Sequence, residues 1–330
     1  MISLKSFVDR FSRLMLLLLI IAALASLSPP GTFLTVSNFS IVMFQQAPLT
    51  MLMGFGMTLA IITKGIDTSM GSVLVLCSML SAEFIRGGNI LMGVVIALVV
   101  GALFGLINGL IITRVGVAPF IATFGIGNVA LGLAFVYSGG VFVVGFPEVF
   151  RQITNGTLLF GIPNIAIVTA AIFVILYFLT SKALFGRRMY ACGFNFNATT
   201  LSGLNSNNTV TVVYIINGIL AATTGLLYMA RLNAADPGIS GNFTLDSIAA
   251  ALVGGTSFGG GKGSVAKTVV GALIIVFIRN GMNIMGVHTN WAQAVIGLII
   301  LISIALESLA QRISASDSSA LQKNAAKVSN

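Results

Sequence analysis

"GGTSFGGGKGS", residues 254–264, decides what kind of chain this is. Read as a phosphate-binding loop, it places a nucleotide on a strand-to-helix turn of an α/β domain. Read as a turn between membrane helices, it binds no nucleotide. A phosphate loop needs Gly, four residues, Gly, Lys, then Ser or Thr, so that glycine amides cradle the phosphates and a hydroxyl meets magnesium. Lys262 follows Gly261, but Thr256 stands where the first Gly is needed and Gly263 where the hydroxyl is needed. The flanks are apolar runs of membrane-helix type, not a strand. The stretch reads as a Gly-rich turn between two close-packed membrane helices.

Composition agrees. Hydrophobic residues make up 57% of the 330-residue chain and charged residues 8%, against about 25% charged in a soluble domain. So few charges cannot cover a water-facing globule. The apolar runs are continuous rather than alternating, which argues against a β-barrel. We therefore expect an all-α polytopic membrane protein. At roughly 20 residues per span, about ten spans fit: Leu14–Leu27, Phe44–Thr63, Gly71–Phe84, Leu91–Ile112, Phe120–Tyr137, Pro163–Thr180, Val210–Met229, Leu245–Phe258, Val265–Met285 and Trp291–Leu309. The third and eighth are short and read as broken or half-inserted helices. Leu14–Leu27 lacks a small-residue cleavage site and reads as a first helix that stays.

Positive charge orients these spans. With the amino terminus inside, the inner side collects Lys5, Arg10, Arg13, Lys64, Arg114, Lys182, Arg187, Arg188, Lys262, Lys267, Arg312, Lys323 and Lys327. The outer side holds only Arg86, Arg151 and Arg231, and Arg279 inside the ninth span can snorkel outward. Both termini are expected in the cytoplasm. The net charge of +9 then reflects topology, not a nucleic-acid partner. Residues 1–313 form one membrane domain with a long inner loop, 181–209, and 314–330 form a polar tail. No large soluble domain fits, so the chain cannot house an ATPase. Cys77 lies in an apolar run and Cys192 in a loop, which fits neither a disulfide nor a metal site. His288, the single histidine, has no partner nearby and reads as an interfacial loop residue.

A weak internal repeat is visible. "TKGIDTSMGSVL" (63–74) and "FTLDSIAAALVGG" (243–255) each place an Asp before a run of small residues. Each is followed by a Gly-spaced helix with a late Asn-Gly, Asn108-Gly109 and Asn280-Gly281. Duplicated halves with interrupted helices are a transporter design, so we expect an inverted-repeat core.

Asp67 and Asp246 are the acids expected near membrane depth. A carboxylate there is costly and marks function by default; Lys64 or the amides of "DTSMGS" are the candidate partners of Asp67. The plainer reading is helix capping, with Thr68 and Ser69 beside Asp67 and with Asp246 starting the eighth helix. Gly101, Gly105 and Gly109, like Gly254, Gly255 and Gly259, read as packing seams that let helices approach in lipid. Asn108, Asn128, Asn217, Asn280 and Asn283 need partners in hydrocarbon. Their amides suit either interhelical hydrogen bonds or the hydroxyls of a sugar. We take Asp67, Thr68, Ser69, Asn108, Asn128, Asp246, Asn280 and Asn283 as candidates for a translocation path. In the inner loop, Asn197–Leu201 forms a short helix-capable stretch stopped at Gly203, which reads as a docking element.

Four stretches carry a resemblance: "KGIDTSMGSVL" (64–74), "GLINGLIITRVGVAPFIATFG" (105–125), "FGRRMYACGFNFNATTLSGLN" (185–205) and "LDSIAAALVGGTSFGGGKGSVAKTVVGALIIVFIRNGMNIMGV" (245–287). Their order and content resemble the membrane-spanning permease subunits of bacterial ABC importers for ribose, galactose, xylose and autoinducer-2. The resemblance runs from about Phe39 to Leu309. It implies a non-catalytic subunit of the bacterial inner membrane, paired with a second copy or paralogue. Cytoplasmic ATPase subunits would carry ATP and magnesium, and a periplasmic sugar-binding protein would deliver a pentose, a hexose or a related furanose. It also implies that Asn197, Ala198, Thr199, Thr200, Leu201, Ser202 and Gly203 form the coupling helix, and that this chain binds no cofactor, metal or nucleic acid. The sequence departs from the family at Lys64, Thr68, Met70, Thr199, Thr200 and Lys267, of which Lys64 and Thr68 flank Asp67. The alternative is an ion-coupled secondary transporter that uses Asp67 or Asp246. An enzyme finds no Ser/His/Asp set or paired acids to work with.

Overall fold

The computed structural model describes residues 4–305 and 308, apart from 160 and 289. The expected tail 314–330 with Lys323 and Lys327, as well as Arg312 and the side chains of Lys5 and Arg10, lie outside the described residues.

The chain is a helical bundle. Six helices are long and apolar enough to cross a membrane: Val36–Ile62 (α2), Ile90–Val115 (α4), Pro119–Ser138 (α5), Asn164–Ser181 (α7), Ser206–Leu232 (α10) and Val265–Ile284 (α12). Four other expected runs also become helices. They are Leu4–Leu27 (α1), Met70–Arg86 (α3), Ser240–Val253 (α11) and the shorter apolar Asn290–Ala305 (α13). The third and eighth runs, α3 and α11, are short but continuous, so the breaks expected inside them lie between helices instead. Glu148–Asn155 (α6), Leu184–Phe194 (α8) and Phe196–Leu201 (α9) lie in the two long loops. Two short antiparallel ladders complete the described elements, Val143–Val144 with Ala234–Ala235 and Thr157–Leu159 with Ile162–Pro163.

Local chemistry sets the helix ends. Pro119 opens α5, where its missing N–H has no partner to lose. Pro48 falls inside α2, and the preceding residues Val42–Gln46 widen into a π turn. Such a turn relieves the clash between the proline ring and the carbonyl four residues back. The Asn89, Asn195 and Asn205 side chains accept the amides of Met92, Ala198 and Asn208 and so start α4, α9 and α10.

Burial separates centre from rim. In the most apolar windows, 83% of α2, 72% of α10 and 61% of α12 is buried, against 22% of α4, 28% of α5 and 22% of α7. The first three helices form the heart of the bundle, and the others turn a broad apolar side outward. Early and late helices pack on one another: α2 packs on α10, α11 and α12, while α10 packs on α3 and α4. The expected Gly101, Gly105 and Gly109 seam is one of these crossings. A Cβ on Gly101 would overlap the Gly218 carbonyl, and one on Gly105 the Tyr214 carbonyl, so α4 and α10 meet backbone to backbone.

Candidate functional site

The chain between α2 and α3 carries buried polar residues, Asp67 and Ser69. Helix α2 ends in a Schellman motif: the Lys64 N–H donates to Ile61 O at 2.9 Å and the Gly65 N–H to Ala60 O at 2.9 Å. Such an end needs a left-handed residue, and Lys64 supplies it with φ +62°. A lysine at that angle costs about 1–2 kcal/mol relative to glycine. Its ammonium does not reach Asp67. It donates instead to the Phe194 carbonyl at 3.3 Å, which corrects the expected Lys64 partnership.

Asp67 is buried with 2% exposure. Its Oδ1 accepts the Ser69 hydroxyl at 2.6 Å and the Ser69 N–H at 3.1 Å, and its Oδ2 accepts Asn217 Nδ2 at 3.2 Å. Asn108 Nδ2 donates to Ser69 Oγ at 2.8 Å. Beside them the Thr68 N–H donates to Thr123 Oγ1 at 3.2 Å, and the two hydroxyls meet at 3.0 Å. Asp67 is therefore not a simple helix cap. It closes a two-residue turn and ties the loop to α10, while Ser69 ties it to α4 and Thr68 to α5.

Asp246 also departs from the capping reading. It sits inside α11 and accepts Arg279 Nε at 2.8 Å and Nη2 at 2.6 Å. Arg279 does not snorkel; its side chain is 17% exposed and that of Asp246 8%. Next to it, Asn280 and Asn38 exchange two amide hydrogen bonds at 2.9 and 3.0 Å, which join α12 to the start of α2.

The candidates thus separate. Asp67, Thr68, Ser69 and Asn108 form one knot, and Asp246 and Asn280 engage other partners. Asn283 on α12 is exposed. Asn128 is exposed too, on an apolar face of α5, and donates to the Phe124 carbonyl of its own helix at 2.8 Å. Sequence reading did not pick out Thr123, Asn38 or Arg279 as partners. The only available signal was that polar side chains inside apolar runs need one another.

Helix α9, in the 181–209 loop, forms where expected. Asn195 caps it, Thr199 Oγ1 donates to Asn195 O at 2.7 Å, Thr200 Oγ1 meets Ser206 Oγ at 2.9 Å, and Gly203 ends it at φ +85°. Leu201 is 88% exposed and the neighbouring Phe194 76%. Between this segment and the α2 end lies a cavity of ≈ 350 Å³, lined by Thr63, Lys64, Thr113, Phe196, Asn207 and Tyr214 among others.

A family model described as "Branched-chain amino acid transport system / permease component" matches residues 38–304. The chain belongs to this permease family. The permease is 37% identical over 305 residues to the D-allose transport system permease protein AlsC of Escherichia coli K12, covering 92% of this chain and 93% of that one. It is 36% identical over 312 residues to the ribose import permease protein RbsC of the same strain, with 93% and 96% covered. It is 35% identical over 271 residues to the probable ABC transporter permease protein y4mJ of Sinorhizobium fredii, with 82% and 81% covered. No solved structure matches it. The match spans α2 to α13 and so contains both the Asp67 knot and the α9 loop. The permease is a multi-pass membrane protein.

Proposed function

We propose that the chain is the membrane-spanning subunit of an ATP-driven importer for a simple sugar: a pentose, a hexose or a related furanose. The observation that carries this is end-to-end similarity to proteins named for allose and ribose transport. In this reading ten helices cross the bacterial inner membrane with both termini inside. A second copy or paralogue pairs with the chain. A periplasmic binding protein delivers the sugar outside, and ATPase subunits carry ATP and magnesium inside.

The helix ends support an inverted repeat of α2–α5 and α10–α13. The first helix of each half ends on a left-handed non-glycine residue, Lys64 or Asn233, and among the described residues no others have positive φ without being glycine. The second and third end at left-handed glycines, Gly88 and Gly116 in one half, Gly255 and Gly286 in the other. The crossed packing of α2 on α12 and α10 on α4 has the exchange expected of paired halves.

Helix α9 is the coupling helix in this reading. Its exposed Leu201 gives an ATPase subunit an apolar anchor, and alternating access follows from nucleotide-driven shifts between two states. The sugar path runs along outward-facing surfaces that carry isolated polar groups, Asn128 on α5 and Asn283 on α12. The buried Asp67 knot holds α5, and the Arg279–Asp246 and Asn280–Asn38 pairs hold α12. Nothing favours the ion-coupled alternative, since Asp246 is committed to Arg279 and Asp67 to Ser69 and Asn217. The test is uptake into proteoliposomes with the cognate ATPase and binding protein, across a panel of pentoses and hexoses. Uptake that needs ATP and every component supports the proposal. Uptake by this chain alone under an ion gradient overturns it.

A further inference from the structure

A turn between two helices does not need so many glycines as residues 254–264 contain. Contacts with neighbouring segments account for several of them. Gly261 has φ +70°, and its N–H donates to the Ile62 carbonyl, the last of α2, at 2.8 Å. Gly193, near the end of α8, lies over the same carbonyl. A Cβ there would overlap Ile62 O and come 2.7 Å from the Gly261 nitrogen. A Cβ on Gly261 would lie 3.1 Å from the Phe194 nitrogen and Cα. Two polar bonds brace the contact: the Tyr190 hydroxyl donates to Gly263 O at 3.0 Å, and Lys64 Nζ to Phe194 O at 3.3 Å.

Three segments remote in sequence therefore touch backbone to backbone, directly before Asn195, the cap of α9. Side-chain contacts absorb small displacements by changing rotamer. A backbone contact at van der Waals distance cannot, so movement on one side is passed to the other. The joint leads in two directions. Through Ile62 and Lys64 it reaches the loop of the Asp67 knot, and through the Gly-rich turn it reaches α11 and α12.

We propose that the Ile62–Gly193–Gly261 joint carries the displacement of α9 into the membrane helices, with Gly193 and Gly261 as positioning residues for coupling. This rests on the importer reading above. The test compares Gly261→Ala with Gly286→Ala in the full complex, reconstituted in proteoliposomes. Gly286 has the same φ of +70°, but nothing lies within 4 Å of a Cβ built on it, so it reproduces the backbone strain without the contact. Three quantities are read: ATPase co-purification, binding-protein-stimulated hydrolysis, and sugar moved per ATP.

For Gly261→Ala we expect assembly and hydrolysis to persist and sugar per ATP to fall about tenfold, while Gly286→Ala keeps the wild-type ratio. Equal ratios in the two variants overturn the joint. Should Gly261→Ala fail to assemble, Tyr190→Phe, which removes only the bond to Gly263, is read instead. A drop of about fivefold supports the joint and an unchanged ratio overturns it. Wild type that moves no sugar with its ATPase sinks the importer reading and the joint together. Wild type that transports alongside an unaltered variant sinks the joint alone.

Discussion

Arg279 and Asp246 lock α12 to α11 through a fork of two nitrogens on one carboxylate, at 2.6 Å for Nη2 and 2.8 Å for Nε. Both side chains are largely buried, at 17% and 8% exposed. Removing one partner leaves the other buried and unpaired, which costs about 3–5 kcal/mol. We expect Arg279→Met to lower the melting temperature in detergent sharply. The double variant Arg279→Met with Asp246→Leu should recover most of the loss. A double variant no more stable than the single would show that the pair does more than neutralise itself.

Asp67 accepts three hydrogen bonds and donates none. In Asp67→Asn one acceptor oxygen becomes an amide that faces either the Ser69 donors or the Asn217 amide. We expect a loss of about 1–3 kcal/mol, together with weaker uptake, because the knot sets the spacing of α4, α5 and α10. Wild-type melting and uptake in this variant would remove Asp67 from both roles.

The α4–α10 seam has no room for a side chain at Gly105, where a methyl would meet the Tyr214 carbonyl. Gly105→Ala should destabilise by about 1–3 kcal/mol. On α5 nothing lies within 4 Å of a Cβ at Gly125, so Gly125→Ala should stay within about 0.5 kcal/mol. Thermal melts of the two variants side by side check the contrast.

Leu201 stands free at the tip of α9. We expect Leu201→Glu to leave the fold within about 0.5 kcal/mol of wild type, because no packing is lost. Its affinity for the ATPase subunit should fall at least about tenfold, as for an apolar anchor at an interface. Pull-down of the ATPase with detergent-solubilised variant and wild type measures this directly, and equal recovery would move the docking surface elsewhere.

Asn128 is exposed on α5 beside Ile121, Phe124 and Phe135, exposed apolar residues of the same helix face. Lipid offers its amide no partner beyond its own helix. Replacement by leucine should raise stability in detergent or leave it unchanged, while uptake falls because the path or the paired copy loses its polar contact. Full uptake by Asn128→Leu would assign this face to lipid alone.

Composition and run length determine that this chain is a helical membrane protein, because a bilayer admits few solutions for a continuous apolar chain. The motif spacing at residues 254–264 excludes a phosphate loop, and the order of motifs indicates the family. These are local properties of the chain, readable without coordinates. Which polar residue answers which is not local. Asn217 lies 150 positions from Asp67 and Asn38 lies 242 from Asn280, so only the packing of α10 on the α2–α3 loop and of α12 on α2 could pair them. For the same reason, capping was the plainer reading of Asp246 until the fold brought Arg279 beside it. The glycines of 254–264 were legible as a turn, but the approach of Gly260 and Gly261 to the Ile62 carbonyl was not, because that carbonyl belongs to another helix.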